Sequence, residues 1–288
     1  MTRQLLVVAG AELAVKTPYR RIEPARRLVP LQLGELWEYR DLLFFLIWRE
    51  VKVRYKQTVL GLLWAIIQPF FTMVIFTIVF SRFGRVPSDG LPYPVFAFCA
   101  LLPWQLFAFA LSEASNSVVA NQRLITKVYF PRLIIPLAAV CVGIADFVVG
   151  LLVLAALMAY YGIVPGAAIW TLPLWALLAV ITALAVGLWL SALNVRYRDV
   201  RYTLPFVTQM WLFATPVAYP LALVPPEWRS LYALNPMVGV VEGFRWALLG
   251  NARPLGMSVL FSAGAVVVLL AGGLFYFRRT EQTFADIV

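Results

Sequence analysis

Apolar positions along the chain gather into six long runs separated by short polar stretches. A helix rises about 1.5 Å per residue, so about 20 apolar residues cross a bilayer core of about 30 Å. Five runs contain no charged residue, and the third contains only Asp146. The pattern predicts an all-α, polytopic integral membrane protein with six transmembrane helices within residues 58–277, at about 58–80, 91–112, 133–161, 172–194, 202–226 and 254–277.

Residues 35–57 predict a different kind of helix, because their apolar stretch, 42–48, is too short to span a membrane. Arg49, Lys52 and Lys56 follow at spacings that place them on one helical face, and Trp48 suits the headgroup level. We interpret the segment as an amphipathic helix lying in the membrane interface. Two roles remain open: it anchors the chain, or it also gates a cytoplasmic entrance.

Residues 229–250 contain too many polar positions for a seventh span, among them Asn235, Glu242 and Arg245. A further crossing would also move the arginines at 278 and 279 to the opposite side of the membrane. The segment therefore predicts a re-entrant helical hairpin between spans five and six. Residues 1–34 and 278–288 remain as an N-terminal arm and a C-terminal tail.

Composition and charge distribution agree with a membrane protein and orient it. Hydrophobic residues make up 62% of the chain and charged residues only 13%, which excludes a soluble globular domain. With six spans, 19 of the 24 lysines and arginines fall on one side. The positive-inside rule then places both termini in the cytoplasm, with the protein in the cytoplasmic membrane. The net charge of +10 is thus mainly a topology signal and does not indicate nucleic-acid binding.

Histidine and several well-known catalytic motifs are missing from the sequence. It has no histidine, which excludes histidine-based triads and metal sites, and no Gly-Lys pair, which excludes a Walker A motif. We therefore expect no catalytic residues, no metal and no cofactor. A function in movement, with energy supplied by another protein, fits this pattern better than an enzymatic one.

Small, charged and aromatic side chains within the predicted spans indicate packing and binding roles. Small residues recur at helical spacing on the fourth span from Ala176 to Ser191 and favour close helix packing. Asp146 has no cationic residue on a neighbouring span, so we predict a structural hydrogen-bonding role for it. Trp64 and Gln68 offer an aromatic plane beside an amide, which suits carbohydrate, although lipid-facing aromatics are also common.

Two polar, basic loops lie on the predicted cytoplasmic side, at 113–132 and 194–201. Such loops are often only topology signals. Their arginine, asparagine and tyrosine side chains could instead dock a cytoplasmic partner through charge-assisted hydrogen bonds. The sequence alone leaves both interpretations open.

Several motifs together resemble the ABC-2 type permeases, the membrane subunits of transporters that export O-antigen, capsule and teichoic-acid polysaccharides. The resemblance covers about residues 35–278. The motifs are Tyr39-Arg40-Asp41-Leu42-Leu43, the run from Trp48 to Gln57, Leu60-Gly61-Leu62-Leu63-Trp64, Gln68-Pro69, the run from Lys127 to Arg132, the run from Asn194 to Val200, and Leu234-Asn235-Pro236-Met237.

This resemblance implies a homodimer of six-helix subunits that binds two copies of a separate ABC ATPase and moves a lipid-linked polysaccharide. The ATPase would contact Asn121, Gln122, Arg123 and Lys127 in one loop and Arg196, Tyr197, Arg198 and Asp199 in the other. The polymer channel between subunits would be lined by Trp64, Gln68, Phe71, Phe206, Gln209 and Phe213. The interface helix, with Trp48, Arg49, Lys52 and Lys56, would guard the cytoplasmic portal.

Two alternatives keep the membrane topology but change the function. A permease of the same family that moves a drug or a lipid shares every topological feature. An integral-membrane glycosyl or phosphoryl transferase would need carboxylates gathered at the membrane surface, and Asp146, Asp199 and Glu242 are far apart in the sequence.

Overall fold

The computed structural model describes residues 33–56, 63–250, 257–281 and 284, and within these ranges every regular element is helical. The predicted arm up to residue 32, the first residues of spans one and six, and most of the tail lie outside the described residues. The helices are α1 (Leu33–Glu38), α2 (Arg40–Lys56), α3 (Trp64–Phe76, continued as a π-helix over Thr77–Phe83), α4 (Tyr93–Ala120), α5 (Gln122–Lys127), α6 (Ile134–Tyr160), α7 (Leu172–Arg196), α8 (Asp199–Phe213), α9 (Pro226–Leu234), α10 (Pro236–Leu249) and α11 (Met257–Glu281). Short 3-10 helices cover Ala167–Thr171 and Leu221–Leu223.

Five segments of the described chain are long and apolar enough to cross a membrane: Trp64–Phe83, Tyr93–Ala120, Ile134–Tyr160, Ala167–Arg196 and Val259–Glu281. They coincide with predicted spans one, two, three, four and six. The fifth predicted span, 202–226, is not among these segments, because helix α8 ends at Phe213. Its 15 residues extend only about 22 Å at about 1.5 Å each. Pro216, Pro220 and Pro225 follow, and a proline has no N–H to continue the helical ladder.

Helices α4 and α7 pack most closely, and small residues allow it. A Cβ atom on Gly187 would lie 2.6 Å from the Ala114 Cβ, so only glycine fits at this contact. Ala179, Ala183 and Ser191, on the predicted small-residue face, are also buried. The prediction that this face packs against another helix is confirmed.

The two ends of α4 orient the rest of the fold. At its C-terminal end, the Asn194 side chain near the end of α7 donates hydrogen bonds to the Ser115 carbonyl at 3.0 Å and to Asn116 Oδ1 at 3.2 Å. The loops that follow α4 and α7 therefore lie at the same end, which we call the basic end. At the opposite end, the Tyr93 hydroxyl donates to the Ala218 carbonyl at 2.7 Å. Residues 199–218 thus run the length of α4.

Helices α9 and α10 form a tight pair joined by Asn235. Its Oδ1 accepts the backbone N–H of Met237 at 3.1 Å and the indole N–H of Trp211 at 2.9 Å, and its amide donates to Thr215 Oγ1 at 3.0 Å. Ser262 in α11 donates to the Asn235 carbonyl at 3.2 Å. Asn235 therefore attaches the junction of α9 and α10 to α8 through Trp211 and to α11 through Ser262.

A separate apolar cluster holds the basic end together. It joins the second helix, the start of α6 and the ends of α4, α7 and α11 to the short helix α5. Its buried members include Leu46, Val118, Ile125, Ile135, Ala192, Phe277 and Phe284. The loops at this end therefore rest on a packed base.

Candidate functional site

Helix α2 lies along α6 at the basic end and presents two different faces. Leu46 is buried in the apolar cluster of that end, whereas Phe44, Phe45 and Trp48 are 70%, 59% and 58% exposed. Apolar side chains exposed along one face of a helix suit a membrane surface. Lys52 is also exposed.

A charged cluster fastens the end of α2 to α6. The Arg54 guanidinium donates a hydrogen bond to Asp146 Oδ2 at 2.6 Å, and the Tyr55 hydroxyl donates to Asp146 Oδ1. The Arg54 guanidinium also lies over the ring of Phe109 in α4, 4.3 Å from its centroid. Burial and the hydrogen bond to Asp146 raise the pKa of Tyr55 to about 12, so the phenol keeps its proton at neutral pH.

This cluster changes the interpretation of Asp146. The sequence shows no cation on a neighbouring span, and the prediction of a structural hydrogen-bonding carboxylate did not include an ion pair. The structure supplies the cation from α2, 92 residues earlier in the chain. A carboxylate within a span requires such a partner, but the sequence does not reveal which element brings it.

Arg49 connects α2 to the first loop of the basic end. Its guanidinium donates to Asn121 Oδ1 at 2.9 Å and to Glu50 Oε1 at 2.5 Å. It is therefore half-buried against α4, whereas Lys52 and Lys56, which the spacing placed on the same face, are exposed. Since Asn121 immediately precedes α5, the contact joins the interface helix to the predicted coupling segment.

The residues predicted to contact a cytoplasmic partner lie together at the basic end, and most are exposed. Helix α5 is held by buried Ile125. Asn121, bonded to Arg49, is only partly exposed. The exposed members are Gln122, Arg123 and Lys127 in the first loop and Arg196, Tyr197, Arg198 and Asp199 in the second.

The predicted polymer contacts divide into two groups. Trp64 and Gln68 line a cavity of about 360 Å³ between α3, α4, α6 and α8, together with Trp104 and Gln105 of α4. Arg54 and Asp146 lie in the wall of the same cavity. The remaining members, Phe71, Phe206, Gln209 and Phe213, do not line it and lie exposed on α3 and α8.

A second cavity, of about 300 Å³, lies beneath α2 at the basic end. Arg49 and Glu50 of α2 line it on one side, and Glu113 of α4 and Ala139 of α6 on the other. Arg54 and Phe109 belong to the walls of both cavities. The guanidinium and the ring beneath it therefore stand where the two cavities meet.

At the opposite end, a buried arginine holds the irregular segment after α8. Arg245 of α10 donates to the Val217 carbonyl at 2.9 Å, pairs with Glu242 at 3.2 Å and lies 3.8 Å from the centroid of the Phe96 ring. The sequence indicated Arg245 only as an argument against a seventh span. Its role as a hydrogen-bond donor to the carbonyls of the non-helical segment after α8 was missed. The prolines of that segment do indicate carbonyls that have no partner within a helix.

Comparison with known proteins assigns the chain to a family. The model of the ABC-2 type transporter family matches residues 41–249, about three quarters of the chain. The protein belongs to the ABC-2 type transporter family. The resemblance that the sequence motifs indicated is therefore confirmed.

Individual members of the family match over nearly their whole length. The O-antigen export system permease protein RfbA of Myxococcus xanthus is 32% identical over 258 residues, which are 88% of this chain and 98% of that protein. Its counterpart in Klebsiella pneumoniae is 29% identical, covering 86% of this chain and 95% of that protein. The polysialic acid transport protein KpsM of Escherichia coli is 24% identical over 81% of this chain and 91% of its own length.

Proposed function

We propose that this ABC-2 protein is the permease subunit of an ATP-driven exporter that moves a lipid-linked polysaccharide, such as an O-antigen, capsular or teichoic-acid-like polymer, across the cytoplasmic membrane. One observation carries the proposal: the chain matches 98% of the length of an O-antigen export permease. The chain's lack of a Walker A motif agrees with an ATPase on a separate subunit.

Six crossings with both termini in the cytoplasm are part of this proposal. Five helices have the necessary length, and residues 199–218 provide the remaining crossing, since they extend from the end of α7 to the Tyr93 contact at the far end of α4. The basic loops share one end, which the positive-inside rule assigns to the cytoplasm. The pair α9–α10 is then a re-entrant hairpin on the outer side, with Asn235 at its inner turn.

The basic end is the proposed seat of the ATPase. Helix α5 and residues 196–199 expose charged and polar side chains at the same end, where Asn194 ties the end of α7 to α4, the helix that precedes α5. A movement imposed on one loop would therefore reach both α4 and α7. Arg123, Lys127, Arg196 and Arg198 are suited to charge-assisted hydrogen bonds with the partner.

Two copies of the chain are proposed to form the channel along α3 and α8. Trp64, Phe71, Phe206 and Phe213 are 53%, 58%, 65% and 50% exposed in the single chain. Aromatic rings beside the amides of Gln68 and Gln209 provide stacking and hydrogen bonding for sugar rings. The interface helix would lie at the cytoplasmic portal, with Trp48 at headgroup level and Arg49, Lys52 and Lys56 along the entrance.

The test is ATP-dependent polysaccharide movement by the permease reconstituted with its ABC ATPase. Arg123→Glu and Arg198→Glu should each reduce transport at least tenfold by replacing a docking cation with an anion. Arg279→Glu is the matched control, because it makes the same charge change at an exposed arginine outside the two loops, in α11, and it should retain transport. Unchanged transport in both loop variants would overturn the assignment of the loops.

The assignment of the channel is tested by comparing two tryptophan variants. Trp64→Ala should reduce transport without weakening the binding of the ATPase. Trp170→Ala, at an exposed tryptophan of the 3-10 helix that packs against α7 and α10, should leave transport unchanged. Turnover of a lipid-linked sugar donor by the permease alone would favour a transferase. Export of a drug or lipid with no movement of polysaccharide would favour a different cargo.

A further inference from the structure

The contacts of the interface helix suggest which residues keep it closed. Helix α2 buries only Leu46 among its residues. Leu42, Leu43 and Ile47 are partly buried in the same apolar cluster as Leu46. The C-terminal half of α2 is attached by polar contacts, and Arg54 and Tyr55 place two of them on one carboxylate, that of Asp146. The same guanidinium stands at the junction of two cavities, one beneath α2 and one between α3 and α4.

We propose that Arg54, Tyr55 and Asp146 form a latch that holds α2 closed against α6 and separates the two cavities. This inference deepens the proposed function, because it names the residues that control the portal. The contacts with Asp146 lie on the side of α2 that meets α6, whereas Trp48, Lys52 and Lys56 are exposed.

The chemistry of the cluster suits a closed state. The Asp146 side chain is 22% exposed, so its charge is partly removed from water and is compensated by a guanidinium and a phenol. Arg54 gains a second stabilising contact from the Phe109 ring. Moving α2 away from both α6 and α4 breaks these three contacts together, which makes opening a single step.

A link to the ATPase side is already in place. Arg49, five residues before Arg54, donates to Asn121 immediately before α5. A displacement of α5 by the ATPase would pull α2 through this bond while Asp146 holds it on α6. The latch thus sets how large a displacement is needed before the portal opens.

The proposal is tested by measuring how quickly a cysteine beneath α2 reacts with a maleimide. Ala139 lines the cavity beneath α2 and is only 9% exposed, so Ala139→Cys reports on opening. The native cysteines are replaced (Cys99→Ala, Cys141→Ala), and the full-length permease is placed in lipid nanodiscs, where both membrane faces meet the reagent. Neither ATPase nor polysaccharide is required, so the result is independent of the proposed cargo.

Asp146→Asn and Arg54→Gln should each increase the labelling rate about tenfold, equivalent to about 1.4 kcal/mol in the opening equilibrium. The exchange of charges, Arg54→Asp with Asp146→Arg, should return the rate to within about twofold of the starting protein. Unchanged labelling in the single variants, or an exchange as fast as they are, would overturn the latch.

A second cysteine position separates opening of α2 from loss of the fold. Ala110 is fully buried in α4, away from the cavity beneath α2, and Ala110→Cys should stay unlabelled in every latch variant. Equal acceleration at positions 110 and 139 would show that the cluster supports the whole bundle, and would also overturn the proposal.

Discussion

Replacing Gly187 by alanine tests whether the closeness of α4 and α7 is a requirement of the fold. The new Cβ would lie 2.6 Å from the Ala114 Cβ, whereas carbon atoms in contact prefer about 3.5–4.0 Å. The helices must therefore separate by about 1 Å at this level. Such overpacking costs about 1–3 kcal/mol, and the better helix propensity of alanine returns about 1 kcal/mol. The difference is about 0–2 kcal/mol, and we expect a net loss near its middle, about 1 kcal/mol, with a thermal midpoint lower by roughly 2–4 °C.

The midpoint is measured in detergent with a dye that fluoresces when it reacts with a newly exposed thiol. Cys99 is fully buried and serves as the reporter, and half-buried Cys141 is replaced by alanine in all samples. Gly264→Ala is the matched control, because nothing lies within 4 Å of its added Cβ in α11. A midpoint for Gly187→Ala at or above that of Gly264→Ala would refute the argument.

Three further substitutions address other contacts. Asn194→Ala removes the hydrogen bond to the Ser115 carbonyl, and we expect polysaccharide-stimulated ATPase activity to fall several-fold while the ATPase still co-purifies; unchanged stimulation would contradict the link between the loops. Arg245→Met leaves buried carbonyls without a donor and should cost on the order of 3 kcal/mol, visible as a clear drop of the thermal midpoint. Trp211→Phe keeps an aromatic ring, although a smaller one, and loses the N–H bonded to Asn235, so the expected loss is at least about 1 kcal/mol, and a neutral result would show that this bond is not needed.

The sequence predicted the helices whose apolar runs are continuous, because length and hydropathy alone decide whether a helix spans a bilayer. It also predicted the small-residue contact of α7. The break between α9 and α10, where the Asn235 side chain caps α10 ahead of Pro236, was not located from the sequence. For the fifth span, hydropathy predicted a segment longer than the helix that forms. Its residues are apolar enough for a bilayer, but its prolines end the helix at Phe213, so hydropathy and backbone conformation disagree there.

The polar contacts that connect distant elements could not be read from the sequence. Asp146 signals that it needs a partner, yet Arg54 is one of several cations near the membrane surface and nothing in its local sequence distinguishes it. The same holds for Arg245, which looks like a topology marker until α10 packs against the broken segment. Such pairs depend on helix packing, and packing is a property of the folded chain.

The non-helical segment after α8 constrains the order in which parts of the chain can be inserted into the membrane. Its Val217 carbonyl depends on Arg245, which the ribosome adds 28 residues later. Until that arginine emerges, the carbonyl has only water or the translocation machinery as a partner, since lipid offers none. Insertion of this part of the chain is therefore completed only when α10 arrives, and truncation between residues 220 and 245 should yield a product that the cell's membrane proteases remove.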